Sequence, residues 1–189
     1  RESSDLAGKV NRNTILTGYA HGAAGMADAL GTAARLTGVD LYLAAAERFV
    51  DYERHLFSAA NQNWPDLRPG AGEGAFACGW CHGAPGIGLS RISLSGILQD
   101  AEIHHEIDVA LRASMNAPME EYSLCHGAFG LMDFMLEGSR YRRSARGVSA
   151  VRRVASCLAE EVCNSGFRCD VATSALAVPG LFLGLAGVG

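Results

Sequence analysis

Apolar residues recur every three or four positions along three separate stretches of the chain, residues 41–56, 103–115 and 151–162. This spacing places the apolar side chains on one face of a helix and predicts three amphipathic helices. In the first stretch, charged residues including Glu53 lie opposite the predicted apolar face. That predicted apolar face consists of Leu41, Ala45, Phe49, Tyr52 and Leu56.

A second pattern is a repeated phrase, His-Gly-Ala-x-Gly, at residues 21–25, 82–86 and 126–130. A degenerate fourth copy, Leu-Gly-Leu-Ala-Gly, covers residues 183–187. After the first and third copies, the apolar residues again follow helical spacing, over 26–36 and 131–136. Repetition at comparable intervals indicates one supersecondary unit used several times, with a glycine-rich helix start, an inner helix, a linker and a more polar outer helix.

These units predict an all-α fold, either an open solenoid or a closed α/α toroid. The glycines favour closure, since small residues let several helix N-termini approach one centre. Converging N-termini would also favour anionic ligands there. The proline- and glycine-rich segment 61–74 is predicted to be irregular, either a loop at the rim of the site or a plain surface connection. A short extended piece is expected within residues 71–80.

Composition narrows the class of protein. The chain has 189 residues, 49% of them hydrophobic and 19% charged, which predicts one globular domain over residues 1–189. With a net charge of −4, its one basic cluster (Arg140, Arg142, Arg143 and Arg146) is interpreted as a solvated helix end, so nucleic acid is not expected as a partner. No apolar run is long enough for a transmembrane helix. Both termini look cut, which suggests a piece of a longer protein.

Two of the six cysteines precede a histidine at the head of a repeat, as Cys81-His82 and Cys125-His126. Zinc is held by such soft and borderline ligands, and a catalytic site keeps one position open beside three protein ligands. At a loop-to-helix junction Cys125 and His126 can both face one ion, with Cys81 supplied by the neighbouring unit. Metal binding in a reducing cytosol is therefore the preferred interpretation, and buried structural cysteines are the alternative. His21 is either an acid/base group or a core histidine.

With these residues identified, the sequence resembles the LanC-like family of lanthionine synthetase cyclases. The resemblance is carried by residues 17–25, 79–91, 123–130 and 179–189, in the family's order. The form Trp-Cys-His-Gly-Ala-Pro-Gly-Ile at 80–87 and the Asn-Trp-Pro at 63–65 look most like the C-terminal cyclase domain of LanM-type (class II) lanthipeptide synthetases.

The resemblance implies an α/α toroid, here its C-terminal part, without the N-terminal part or any dehydratase domain. It implies Zn²⁺ held by Cys81, Cys125 and His126, with His21 as the catalytic acid/base group. His82 and Trp80 would then lie beside the metal ligands or near the substrate. The implied compartment is the bacterial cytoplasm.

The implied substrate is a leader-bearing precursor peptide that contains Cys and dehydrated Ser or Thr. Its Cys thiolate would add to dehydroalanine or dehydrobutyrine, giving the lanthionine or methyllanthionine thioether rings of a lantibiotic; this is a carbon–sulfur bond-forming reaction of the lyase class. One alternative is a LanC-like protein that binds or conjugates a thiol such as glutathione. Another is a helical-repeat module that binds peptides without catalysis. A carbohydrate enzyme is disfavoured, because the repeats carry Cys and His where two carboxylates would be needed.

Overall fold

The computed structural model describes residues 15–166 and 180–187, and these residues are helical with no strand. The all-α prediction is confirmed for this part of the chain. The extended piece expected within 71–80 is limited to one isolated bridge, between Cys78 and Gly83. The elements are α1 (Ala23–Thr37), α2 (Asp40–Leu56), α3 (Ala84–Leu94), α4 (Glu102–Met115), α5 (Ala128–Tyr141), α6 (Ala145–Ser165) and a final 3₁₀ turn (Leu185–Gly187).

The helices form two layers that alternate along the chain. Helices α1, α3 and α5 pack side by side as an inner layer, α1 against α3 and α3 against α5. Each inner helix also packs against the helix that follows it, so α2, α4 and α6 form an outer layer. The predicted unit of one inner and one outer helix is thus present three times.

Each inner helix begins directly after the first glycine of the repeated phrase. The N-cap residues of α1, α3 and α5 are Gly22, Gly83 and Gly127. Gly83 has a φ of 108°, and a Cβ added there would lie 2.0 Å from the carbonyl oxygen of Ala77. Only glycine tolerates both conditions, which explains a glycine at this point of the phrase.

The main hydrophobic core lies between the two layers and joins α1, α3, α4 and α5 to the linker. Phe134 of α5 is fully buried and lies over Gly88 of α3, where a Cβ would approach its ring to 2.2 Å. Trp64 of the linker is also buried, and its ring packs 4.9 Å from that of Phe57. The core members are Ala24, Trp64, Ala84, Ile87, Val109, Ala110 and Phe134.

The apolar face predicted for α2 was wrong. Leu41 is 74% exposed, whereas Glu53, expected on the polar side, is completely buried. The buried residues of α2 are Ala46, Val50 and Glu53, a face rotated from the predicted one. The helix can turn a carboxylate inward because that carboxylate finds partners for its charge and its lone pairs inside the protein.

Those partners form a buried charge network of Glu53, Arg54, Arg91 and Glu106, which links α2, α3 and α4. Arg91 is fully buried and donates from Nη2 to Glu53 Oε2 at 2.9 Å and from Nε to Glu106 Oε2 at 2.7 Å. Arg54 donates to the other oxygen of Glu106 at 2.6 Å. The remaining oxygen of Glu53 accepts the backbone N–H of Gly18 at 3.0 Å. The network therefore ties the outer layer to the loop that carries His21.

Helix α6 is the most peripheral element. It packs against α5, yet none of its residues is fully buried. The basic residues predicted to mark a helix end do lie where α5 ends and α6 begins, and Arg142 there pairs with Asp108 of α4. Across residues 15–166 and 180–187, no helix combines the length and apolar character needed to cross a membrane.

Candidate metal centre

The four copies of the phrase lie next to one another, joined by backbone hydrogen bonds between their preceding loops. The N–H groups of Tyr19 and Ala20 donate to the carbonyl of Cys81, each at 3.0 Å. The N–H of Cys81 donates to the carbonyl of Cys125 at 3.0 Å, and that of Cys125 to Phe182 at 2.9 Å. This ladder aligns segments that are far apart in sequence, including the degenerate fourth copy.

Glycines let these loops approach each other. A Cβ at Gly18, whose φ is 98°, would lie 2.8 Å from the Cα of His82. A Cβ at Gly79 would lie 3.0 Å from the Cα of His126 and 3.2 Å from the carbonyl oxygen of Cys125. A larger residue at either position would push the loops apart, and with them the side chains at the helix heads.

The ladder brings Cys81, Cys125 and His126 together. One ligand atom from each residue lies within 4.8 Å of the other two. Cys81 is buried, Cys125 is half-buried, and the side chain of His126 is 41% exposed. Two sulfurs and an imidazole around one point match the donors and size of a zinc site, and the exposed side leaves room for a further ligand.

The electrostatics of the two thiols suit a cation between them. The Cys125 thiol donates a hydrogen bond to Cys81 and thereby lowers the pKa of Cys81, against the effect of burial. The same interaction, together with burial, raises the pKa of Cys125. The pair thus loses its first proton easily and its second only with difficulty. A cation would remove that difficulty, because it offsets the repulsion between two thiolates.

Glu121 and Ser123 hold the loop that carries His126. Glu121 accepts hydrogen bonds from the backbone N–H of Ser123 at 2.9 Å and from its hydroxyl at 2.7 Å. The Ser123 hydroxyl oxygen accepts the N–H of His126 at 3.3 Å, and the His126 Nε2 lies 3.8 Å from the Glu121 carboxylate. Sequence reasoning missed Glu121; its only signal was a carboxylate a few residues before a Cys-His pair.

The linker 61–74 is bonded to the loops before the first and second repeats, which favours a loop at the rim of the site over a plain surface connection. The Thr17 hydroxyl donates to the carbonyl of Pro65 at 2.5 Å, and Asn63 donates to the carbonyl of Ala77 at 3.2 Å. The pKa of Arg68 is raised, mainly by its hydrogen bond to Asp66 and to a smaller extent by the charges of Cys81 and Cys125. Arg68 was not singled out from the sequence, since nothing local distinguishes it from other surface arginines.

Comparison with known proteins gives the family. The sequence model described as "Lanthionine synthetase C-like protein" matches residues 3–189. The chain belongs to this family. Among solved structures it is similar to "Nisin cyclase", with a TM-score of 0.73 and 19% sequence identity. No curated protein sequence matches the chain.

The similarity to nisin cyclase covers 92% of this chain and 44% of that one, so the chain spans less than half the length of its structural neighbour. At this identity the likeness concerns the fold alone, and it confirms the α/α toroid prediction for the arrangement of inner and outer helices. Residues 167–179, with Cys169 and the start of the last resembling segment, lie outside the described residues.

Within this LanC-like chain, the two other histidines at repeat heads lie outside the Cys81–Cys125–His126 cluster. His82 is buried, and its Nδ1 lies 3.3 Å from the carbonyl oxygen of Thr17. His21 is exposed, with its ring centroid 6.3 Å from that of His82. His82 thus contacts the loop before the first repeat, and His21 is open to solvent.

Trp80 and the other described cysteines also lie outside the cluster. The ring of Trp80 stacks on that of Phe182, with centroids 4.7 Å apart, and lies 5.2 Å from that of Tyr19. It thus contacts the two neighbouring loops that carry these residues. Burial raises the pKa of the Cys78 thiol to about 11, which makes it a poor ligand or nucleophile. Cys157 and Cys163 are exposed on α6, away from the helix heads.

Proposed function

We propose that this chain forms the zinc-bearing part of a lanthionine cyclase. The protein would add the Cys thiol of a dehydrated, leader-bearing precursor peptide to a dehydroalanine or dehydrobutyrine of the same peptide. The observation that carries the proposal is the Cys81–Cys125–His126 cluster, with its three ligand atoms within 4.8 Å of one another in a LanC-like chain.

The residues of the cluster fit the group that this chemistry needs. Zinc bound there would supply one property, keeping a substrate thiol deprotonated at neutral pH. Cys81, Cys125 and His126 would hold the ion and leave a position open on the exposed side. Glu121 and Ser123 would keep His126 oriented, as partners of metal-ligating histidines commonly do.

His21 is the proposed proton donor. Addition of a thiolate to the β-carbon of a dehydro residue forms the carbon–sulfur bond and leaves an enolate, which takes up one proton at the α-carbon. Imidazole exchanges protons near neutral pH, and His21 is exposed at the head of the first repeat. The bond from Gly18 to the buried charge network holds the loop before it.

The setting of the reaction follows from the same chemistry. Free thiols persist in a reducing compartment, and the described cysteines are free, so we expect the protein in the bacterial cytoplasm. The phrases at 80–87 and 63–65 favour a LanM-type synthetase, in which a dehydratase domain would supply the dehydrated peptide.

The test begins with the metal content of the purified full-length protein. We expect about one zinc per chain, since a site of this kind binds one ion. Cys125→Ala should abolish zinc binding. The matched control is Cys157→Ala, which removes an exposed thiol from α6 and should leave the zinc in place. A well-folded wild-type protein without zinc would refute the mechanism and favour a peptide-binding module.

Cyclisation is then measured by loss of the free thiol of a dehydrated peptide, because ring closure leaves the peptide mass unchanged. Wild-type protein should make the thiol unreactive towards N-ethylmaleimide. His21→Asn should keep its zinc and cyclise at least about 100-fold more slowly, the loss typical of a missing general acid. If the protein instead joins glutathione to the peptide and forms no ring, the thiol-conjugating alternative is correct.

A further inference from the structure

A cleft of about 370 Å³ lies between the outer helices α4 and α6, above α5. Its walls are mostly apolar, and two of the side chains that line it are open to solvent. Met115 at the end of α4 is 69% exposed, and Val154 of α6 is 41% exposed. The apolar lining consists of Leu111 and Met115 of α4, Met135 of α5, and Ala150, Val151 and Val154 of α6.

Small residues at the base of the cleft leave it unfilled. Gly138 of α5 lies under Leu111, where an added Cβ would approach the Leu111 Cδ2 to 2.6 Å. A Cβ added at Gly147 of α6 would lie 2.6 Å from the Ser139 hydroxyl oxygen. Helices α4 and α6 both pack against α5, and in the described part of the chain they do not pack against each other. The gap between α2 and α4 is bridged by the buried charge network, whereas the gap between α4 and α6 presents apolar side chains.

The surroundings of this cleft are basic, although the net charge of the chain is −4. Residues 138–159 include six arginines and no acidic residue. Two of these arginines pair with acidic side chains on α4 and α5. The other four are exposed and form no ion pair with any residue that the structure describes. In order, the six are Arg140, Arg142, Arg143, Arg146, Arg152 and Arg153.

Two of the unpaired arginines lie at the N-terminal end of α6, where positive charge opposes the helix dipole. The first turn of α6 contains Arg146 and no acidic residue. Arg143, just before the helix, has a φ of 52°, a left-handed conformation that residues other than glycine rarely adopt. Neither feature stabilises α6, so helix stability does not account for the basic charge here. An anionic partner would interact favourably with both the arginines and the helix end.

Helical spacing places two arginines along the border of the cleft. Arg146 lies four residues before Ala150 and Arg153 lies three residues after it, so both side chains are neighbours of a residue that lines the cleft. Arg152 lies on another face of α6, rotated by roughly 100° from Arg153. An apolar groove with a cationic border is complementary to a helix that has one apolar face and carboxylates beside it.

We propose that the cleft between α4 and α6 is a docking site for an acidic amphipathic helix of a partner protein. The apolar face of that helix packs on Met115, Val151 and Val154, and its flanking carboxylates pair with Arg146 and Arg153. The site lies in the outer layer of helices, and the inference does not depend on the candidate metal centre or on its proposed function.

The test titrates the full-length protein with a fluorescein-labelled synthetic peptide of about 16 residues, a length that can form a stable helix on binding. The peptide carries leucines at i, i+3, i+4 and i+7 with glutamates beside them, and fluorescence anisotropy measures its binding. Met115→Gln should weaken binding at least about fivefold, because an apolar contact is lost. The double variant Arg146→Gln/Arg153→Gln should also weaken it about fivefold and make it less sensitive to salt. A peptide with lysines in place of the glutamates should not bind.

The matched control is Arg152→Gln, which removes an exposed arginine from another face of the same helix and should bind the peptide as the wild type does. A well-folded wild-type protein that ignores the acidic peptide would overturn the inference, and so would equal binding of the lysine peptide. An equal loss in Arg152→Gln would also overturn it, since the effect would then reflect net charge alone. Vesicles with and without phosphatidylglycerol are tested in parallel. Binding to anionic vesicles through Arg146 and Arg153, without binding of the peptide, would identify a membrane-contacting surface instead.

Discussion

The buried charge network and the candidate metal centre are both clusters of polar side chains. They differ in how deeply the side chains are buried and how completely their charges are paired. Each collects residues from separate helices or loops into one place. In the network, Arg91 and Glu53 are completely buried and bind each other at 2.9 Å. In the candidate metal centre, the His126 side chain is 41% exposed, and a hydrogen bond from Cys125 lowers the pKa of Cys81.

The difference separates a structural cluster from a candidate functional one. The carboxylates of the network accept hydrogen bonds from arginines and backbone N–H groups, although Nη1 of Arg91 is buried without a hydrogen-bond partner. The sulfurs and imidazole of the candidate metal centre face one another on a partly exposed side of the protein, where a further ligand has access. A site that binds a ligand must leave such interactions unmade until the ligand arrives.

The largest expected effect on stability comes from removing the charge of Arg91 from the buried charge network. Arg91→Met should lower the free energy of unfolding by about 3–5 kcal/mol, because it leaves Glu53 and Glu106 buried without their shared cation. Denaturant unfolding followed by circular dichroism measures this change. The control, Arg140→Met on the surface of α5, should stay within about 0.5 kcal/mol of wild type. A small loss for Arg91→Met would mean that the carboxylates find other partners.

A smaller effect should follow when zinc binds to the candidate metal centre. Zinc present at 100 times its dissociation constant should raise the free energy of unfolding by about 2.7 kcal/mol, since it binds the folded state alone. Thermal or denaturant unfolding, with and without zinc, gives the value. Cys125→Ala should abolish the increase, and Cys157→Ala should retain it. Stabilisation that survives in Cys125→Ala would place the ion elsewhere.

The smallest effect is expected when the metal centre is altered in the absence of metal. Cys125→Ala should then change the free energy of unfolding by less than about 1 kcal/mol, because the side chain is half-buried and fills no core position. Unfolding in the presence of a chelator measures this difference. A loss above about 2 kcal/mol would show that Cys125 is a structural residue, and the contrast with Arg91 would disappear.

Features that depend on local sequence were predicted well. The helix starts at Ala23, Ala84 and Ala128 follow from the glycines of the repeated phrase, where an added Cβ would lie 2.5 Å or less from a neighbouring atom. The apolar spacing of 103–115 matches α4, where Ile103 and Ile107 are fully buried. The Cys-His pairs at equivalent repeat positions pointed to the residues that the fold brings together.

Features that depend on partners from elsewhere in the chain were missed. The inward face of α2 could not be read from its own pattern, because Glu53 is buried only through its pairing with Arg91 of another helix. No local sequence pattern distinguishes Arg68 or Glu121 from other charged surface residues either. Their positions depend on loops that the backbone ladder brings together, and contacts between distant segments produce no periodic pattern in the sequence.

The sequence alone therefore determined the repeating helical unit and the glycine-dependent helix starts, which depend on backbone freedom and side-chain spacing within one segment. It also pointed to Cys81, Cys125 and His126, through their equivalent places in the repeat and the family resemblance. Only the tertiary structure decided which charges are buried, that the linker 61–74 is bonded to the loops before the first and second repeats, and that His82 lies outside the Cys81–Cys125–His126 cluster. The physical reason is that burial and charge pairing act through space, between groups whose separation along the chain carries no information about their distance.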